Sequence, residues 1–248
     1  MKLSLNYNSN LHYYGRTDSI QSSGYFPMVE FWATPNFYVN AAPIFVSNSV
    51  QSFEYAGSVA SIGFQKVTPK WITSIYALKP FYTEEARLVQ SALQAQTGVS
   101  LTRLSKVVNV TIGGDVKFSN AVDFGATAGI DHLVRIESGK GIFILDPSFT
   151  VNAGTQQFSR TYVQKGSGGS NPLPLPIPGN ASGNSSSTVT ETGKRFTVLS
   201  YEASVPLIYV QKKWMLLLTP AFVAPQNLVA GEYGKPMAYV TASVKYTF

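Results

Sequence analysis

Met237-Ala-Tyr-Val-Thr-Ala-Ser-Val-Lys-Tyr-Thr-Phe248 ends the chain and divides by alternation without a remainder. One set is Ala238, Val240, Ala242, Val244, Tyr246 and Phe248; the other is Tyr239, Thr241, Ser243, Lys245 and Thr247. Side chains of a strand alternate between its two faces, so one face is apolar with aromatics at its end and the other is polar. A soluble antiparallel sheet with one wet face alternates in the same way. Length separates the two readings. Soluble strands centre on about five or six residues, whereas a strand tilted across a bilayer needs about nine to eleven. A soluble sandwich or lipocalin-like barrel stands as the alternative.

In this stretch the chain resembles a bacterial outer-membrane β-barrel. In that class the last strand carries alternating hydrophobics and a terminal aromatic that the insertion machinery reads. The matching positions are Val240, Ala242, Val244, Tyr246 and Phe248. The resemblance implies residence in an outer membrane, with lipid and lipopolysaccharide as surroundings and the barrel-insertion machinery as a partner during biogenesis.

Composition agrees with that reading. Of 248 residues, 44% are hydrophobic and only 13% charged, against about a quarter charged in ordinary soluble domains. No apolar run is long enough for a membrane-spanning helix. A barrel needs none, because only alternate residues face lipid. Its 14 Tyr, 15 Phe and 3 Trp suit interfacial girdles. The absence of cysteine excludes disulfides and thiolate metal sites. The net charge of +6 is scattered rather than blocked, which disfavours nucleic acid and suits anionic lipid headgroups. Met1-Lys2-Leu3-Ser4-Leu5 already alternates as a strand, so the expectation is a mature form without its signal peptide.

Alternating stretches at 2–14, 25–33, 37–46, 52–66, 71–78, 104–118, 122–136, 143–151, 157–164, 195–210, 214–224 and 237–248 make about twelve strands of a single domain spanning 1–248. Thr83 to Gln94 is read as one short helix in an extracellular loop, with a threonine cap and acids in its first turn. Residues 165–193, Gly/Ser/Asn-rich around a Pro-Leu-Pro-Leu-Pro-Ile-Pro core, read as a long flexible extracellular loop. An even strand number puts both termini on one rim. The turns at 34–36, 68–70, 119–120, 153–155 and 211–213 then share the periplasmic rim. The loops at 15–24, 47–51, 82–102, 137–140, 165–193 and 229–236 share the other.

Phase assigns the charges. Glu30, Glu54, Asp115, Asp123, Asp131, Asp146 and Glu202 face the lumen with Lys117, Arg135, Lys245 and, just past strand one, Arg16. Toward lipid an Arg or Lys at mid-depth costs about 2–4 kcal/mol, so such groups belong inside, lining water or pairing across the bore. Enzymatic alternatives are thin. A lipid hydrolase would need a Ser/His pair oriented by a third polar group. The two histidines, His12 and His132, fit no such pattern, and Asp131 points away from His132. No catalytic residue, metal site or cofactor is assigned; the histidines and carboxylates lack metal-ligand spacing.

A second resemblance lies in the body of the chain. Leu145-Asp-Pro-Ser-Phe-Thr-Val-Asn-Ala-Gly-Thr155, Phe196 to Tyr209 and Thr219-Pro-Ala-Phe-Val-Ala-Pro-Gln-Asn227 are similar to segments of uncharacterised Bacteroidetes outer-membrane barrels, across roughly the C-terminal half. That likeness brings no established activity. The expected fold is therefore all-β, a transmembrane antiparallel up-and-down barrel. The expected function is a narrow porin-like conduit for small polar solutes, with a non-conducting barrel for surface binding, adhesion or partner attachment as the alternative.

Overall fold

The computed structural model describes residues 1–17, 21–50, 52–83, 93–165, 186–229 and 232–248. Fifteen strands are present among them: β1 (Lys2–Asn8), β2 (Ser23–Trp32), β3 (Phe37–Ser47), β4 (Glu54–Val67), β5 (Trp71–Tyr82), β6 (Ala95–Arg103), β7 (Asn109–Phe118), β8 (Val122–Asp131), β9 (Val134–Ser138), β10 (Gly141–Leu145), β11 (Ser148–Lys165), β12 (Ser186–Ser204), β13 (Leu207–Gln211), β14 (Trp214–Pro225) and β15 (Met237–Thr247). Three short interruptions, at His132-Leu133, Asp146-Pro147 and Val205-Pro206, split single staves into β8/β9, β10/β11 and β12/β13. Pro147 and Pro206 cannot donate to the ladder, which accounts for two of the breaks. What remains is a closed antiparallel barrel of twelve staves.

Strand order follows the chain, and the ring closes where β1 meets β15 and β12 meets β14. This barrel is the compact unit formed by Met1–Thr155 and Phe196–Phe248. Gln156–Arg195 is a second compact unit carrying the remaining parts of β11 and β12. Residues 84–92 and 166–185 fall outside the described residues, and with them most of the expected helix at 83–94 and most of the expected loop at 165–193.

The faces are those of a membrane barrel. In register, Leu5 pairs Val244 and Pro27, while Ser4 pairs Lys245 and Met28. Leu5, Phe31, Ile62, Ile112, Phe124 and Phe222 stand about half exposed on the outside. Ser4, Glu30, Asn109, Lys117, Asn152 and Ser200 are buried. Soluble monomers rarely expose a contiguous apolar patch beyond a few hundred Å². A belt of large apolar side chains on the outer face of stave after stave is a surface made for hydrocarbon. Phe37 stacks near Phe64 (5.1 Å) and Tyr246 lies against both Trp214 (4.8 Å) and Phe248 (4.9 Å), an aromatic girdle at the rim that holds both termini.

Four expectations are corrected. The stretch 95–103, read within a loop, is the strand β6, and β7 starts at Asn109 rather than Leu104. Its outward residues Ala95, Thr97, Val99 and Leu101 are too small and mixed to stand out beside the helical pattern before it. No turn occurs at 153–155: β11 continues through it. Asn152 is held in the lumen by Thr127 (3.0 Å) and Ser200 (3.2 Å), and Gly154 lies where a Cβ would meet Leu199 at 2.9 Å. These two errors cancel in the count of twelve but shift the loops between them. The connection 119–121 therefore belongs with the long loops, and 139–140 with the short turns. Finally, β1 stops at Asn8, whose side chain caps the Asn10 amide (3.1 Å) and turns the chain inward.

Candidate functional site

The short-turn rim carries the connections 33–36, 68–70, 104–108, 139–140 and 212–213; the opposite rim carries 9–22, 48–53, 83–94, 119–121 and 226–236. Between the rims, polar side chains from every wall point inward because their neighbours must meet lipid.

Near the short-turn rim, Glu30 accepts from Lys2 Nζ (3.0 Å) and from the Trp32 indole N–H (2.8 Å), with Lys2 also lying over the Trp32 ring at 4.5 Å. Lys245 lies within electrostatic reach of Glu30. Tyr38 lies flat across the next stave, because a Cβ at Gly63 would overlap its ring. Tyr76 does the same over Gly98, at 2.7 Å, and its hydroxyl accepts from Gln96 (2.8 Å). Large rings thus reach into the bore from positions where the neighbouring strand supplies no side chain.

Near the long-loop end of β7, Lys117 is ion-paired with Asp115 on its own strand and stands opposite Asp123 in register. At the short-turn end of the same strand Asn109 donates to Asp131 (2.7 Å), and nearby Ser148 bonds Ser204 (2.8 Å). Asp146 lies within electrostatic reach of Asp131. Glu202 accepts from the Tyr239 hydroxyl (2.8 Å). Glu54 stands at the far end of β4, paired with the buried Val46.

The connection 9–22 supplies what phase could not show. Its residues 9–17 fold into the mouth. Tyr13 and Tyr14 reach Lys117, their rings 5.7 and 5.6 Å from its ammonium. Tyr14 also lies within electrostatic reach of Asp115, Tyr76 and Glu202, residues of three different staves. Burial pushes the Tyr13 hydroxyl up to about 12 and raises that of Tyr14 as well, so both rings stay neutral.

Behind them Arg16, 5% exposed, is fully committed. Its guanidinium donates to Glu232 Oε2 and to the carbonyls of Leu199 and Gln226, each at 3.0 Å. Backbone bonds between Thr17 and Tyr233 (3.1 Å) and a bridge from Arg16 to Gly234 complete the latch. Gly15 is required there: its φ is +78° and a Cβ would meet Pro225 at 2.9 Å. Glu232, Tyr13, Tyr14 and Tyr76 were absent from the sequence-level site; only inward phase marks Tyr76, and nothing local marks the others.

The remaining residues named from the sequence stand nearer the rims. Arg135 sits on β9 close to the short-turn rim, largely exposed, paired with Glu137 at 3.1 Å. His12 packs edge-on against Tyr239 (4.5 Å) at the long-loop mouth, and its Nδ1 accepts from the Gly15 amide (3.2 Å). His132 lies at the β8/β9 break against the Val107 carbonyl of a short turn. The histidines are thus at opposite ends of the barrel and form no joint site. Among the described residues no cluster of three potential metal ligands occurs.

A closed twelve-stave barrel, apolar without and polar within, has the fold of porin-like outer-membrane β-barrels. Structural comparison places it beside the KdgM porin (TM-score 0.52, 8% identity, covering 100% of this chain and 99% of that one). A second match is the KdgM porin in complex with disordered oligogalacturonate (0.50, 9%, 100% and 99%). A third is the NanC porin (0.48, 10%, 100% and 99%). At such identities the likeness is one of fold. No family model and no curated protein matches the sequence.

Proposed function

We propose that the chain is a narrow passive channel of a bacterial outer membrane for small polar solutes, constricted where Tyr13 and Tyr14 meet Lys117, Asp115 and Glu202. The observation that carries this is that Tyr13 and Tyr14 gather Lys117 and Asp115 of β7, Tyr76 of β5 and Glu202 of β12 inside the bore. Such a cluster replaces part of a solute's hydration and selects by charge. The similarity of segments 145–155, 196–209 and 219–227 to Bacteroidetes barrels supports that bacterial setting.

The electrostatics narrow the solute further. Inward acids (Glu30, Glu54, Asp115, Asp123, Asp131, Asp146, Glu202 and, in the latch, Glu232) outnumber inward bases (Lys2, Arg16, Lys117, Arg135 and Lys245). A carboxylate-rich lumen disfavours polyanions, so the oligogalacturonate bound by the KdgM porin is not a good guide to this channel. Neutral and cationic solutes suit it better.

One observation favours a second reading. The Arg16–Glu232 latch holds the 9–22 connection across the mouth, as expected of a non-conducting barrel used for surface binding, adhesion or partner attachment. Planar-bilayer recording decides between them. Steady single-channel steps with cation preference support the channel; silence across a range of voltages, from protein shown to be inserted, supports the closed barrel.

A further inference from the structure

The net positive charge of the chain is concentrated where the lumen does not use it. The five short turns carry Lys70, Lys106, Lys140, Lys212 and Lys213 and not one acidic residue. Among the described residues of the connections on the other rim, Arg16 and Lys235 stand beside Glu232, so no such one-signed set occurs there. The basic side chains are not evenly placed around the short-turn rim. Trp71, Arg103 and Val110 stand side by side on β5, β6 and β7, paired in register, with all three side chains on the outer wall.

Below that row lies an open hollow of about 600 Å³, lined by Lys70, Trp71, Arg103, Ser105, Val108 and Val110. Arg103 lies over the Trp71 ring at 6.0 Å. Neither Arg103 nor Lys70 has a carboxylate within ion-pair distance among the described residues.

The frame of the hollow is rigid. Thr68 Oγ1 donates to the Trp71 carbonyl (2.9 Å) and accepts its amide (3.0 Å). The Leu104 amide donates to the Lys70 carbonyl (2.8 Å), and the Ser105 amide to Asn109 (2.9 Å). Two cations and a hydroxyl therefore sit at the rim end of an outer wall that carries Trp71 and Val110 level with Arg103, and Leu101 and Ile112 above them. That is the polarity profile of an amphiphile with an anionic head. An Arg beside a Lys suits a phosphodiester, the guanidinium binding through two oxygens and the ammonium as a point charge.

We propose that this hollow binds the phosphate headgroup of an anionic glycerophospholipid in the leaflet at the short-turn rim, its acyl chains lying along Val110 and Ile112 toward mid-bilayer. The proposal rests on the reading that the outer wall faces lipid, and it commits to a leaflet lipid rather than free phosphate or a protein. Charge complementarity and the continuity of the hollow with the lipid-facing wall support that choice.

Native mass spectrometry of detergent-solubilised protein, offered phosphatidylglycerol or phosphatidylcholine, tests it. Wild type should retain one phosphatidylglycerol more tightly than phosphatidylcholine. Arg103→Gln and Lys70→Gln should each weaken that adduct by about fivefold, the effect expected per basic side chain at an anionic surface. The double variant should bind both lipids alike. Lys140→Gln, on a turn away from the hollow, should leave the adduct unchanged. Equal loss from Lys140→Gln, or no loss from the double variant, overturns the site. Displacement of the lipid by inorganic phosphate at matched concentration overturns the lipid assignment. Heat-modifiable migration of each variant reports the barrel separately. Wild-type protein folded in plain buffer would overturn the membrane reading and this site with it.

Discussion

Replacing Arg16 with Met probes how the mouth is held. Methionine keeps much of the side-chain bulk but removes the ion pair to Glu232 and the bonds to the Leu199 and Gln226 carbonyls, all at 3.0 Å. Removing one partner of a buried pair costs about 3–5 kcal/mol. Glu232 keeps partial contact with water at 28% side-chain exposure, so the lower end applies. A loss of about 3 kcal/mol lowers the ratio of docked to undocked connection on the order of 100-fold, at about 1.4 kcal/mol per decade. The cost falls on the latch rather than on the wall, because no ladder bond is broken. Limited proteolysis of lipid-reconstituted protein should cut R16M within 9–22 far faster than wild type. Planar-bilayer conductance should rise in the same variant. Arg16→Lys should fall between the two, since an ammonium cannot serve three acceptors through a planar fork. Unchanged cleavage and conductance in R16M would refute the latch.

Four other outcomes follow from the same geometry. Glu30→Ala leaves the partly buried Lys2, at 30% side-chain exposure, without its carboxylate and should destabilise the barrel by about 1.5–3 kcal/mol in urea unfolding from vesicles; a change near zero would mean the cluster is wet. Ile112→Arg puts a cation on the outer face at mid-strand and should cost about 2–4 kcal/mol in the same assay. Burial lowers the pKa of His12, so docking of the 9–22 connection is at full strength above pH 6.5, the ordinary histidine value, and weakens as pH falls through the lowered one. Protonated Nδ1 can no longer accept from Gly15. Conductance and proteolysis should therefore rise on acidification in wild type and not in His12→Gln. Asp115→Asn with Glu202→Gln should move the reversal potential in a salt gradient toward anions; no movement would place the selective cluster elsewhere.

Much of the fold was readable because lipid enforces it. In β7 and β8 each outward residue is apolar and each inward one small, polar or charged, and β15 departs only at its buried first residue, Met237, so alternation alone sets phase and register. Where that rule is diluted, reading fails. The β6 stave uses Thr97 outward and Gly98 inward to receive Tyr76, and its periodicity disappears beside the helical pattern before it. Asn152-Ala-Gly-Thr155 has turn chemistry, yet those residues stay extended because Asn152 finds Thr127 and Ser200 across the wall. Missing one stave while splitting another preserved the count of twelve but exchanged rims for 119–121 and 139–140. Inward charge was legible for the same reason as phase. The constriction was not. Arg16 and Glu232 are 216 positions apart, and no local pattern says that Tyr13 and Tyr14 fold back toward Lys117. Such contacts depend on closure of the ring, which brings residues from opposite ends of the chain together at the β1–β15 seam.

The account depends on the outer side chains meeting hydrocarbon and the inner ones meeting water or each other. Nitroxide scanning of β15 in reconstituted vesicles measures that directly. Labels at 240, 242 and 244 should collide preferentially with dissolved oxygen. Labels at 241, 243 and 245 should be shielded from it, with any residual access favouring a water-soluble relaxant. The reverse phase, or water-soluble access to 240, 242 and 244, would contradict the barrel as described.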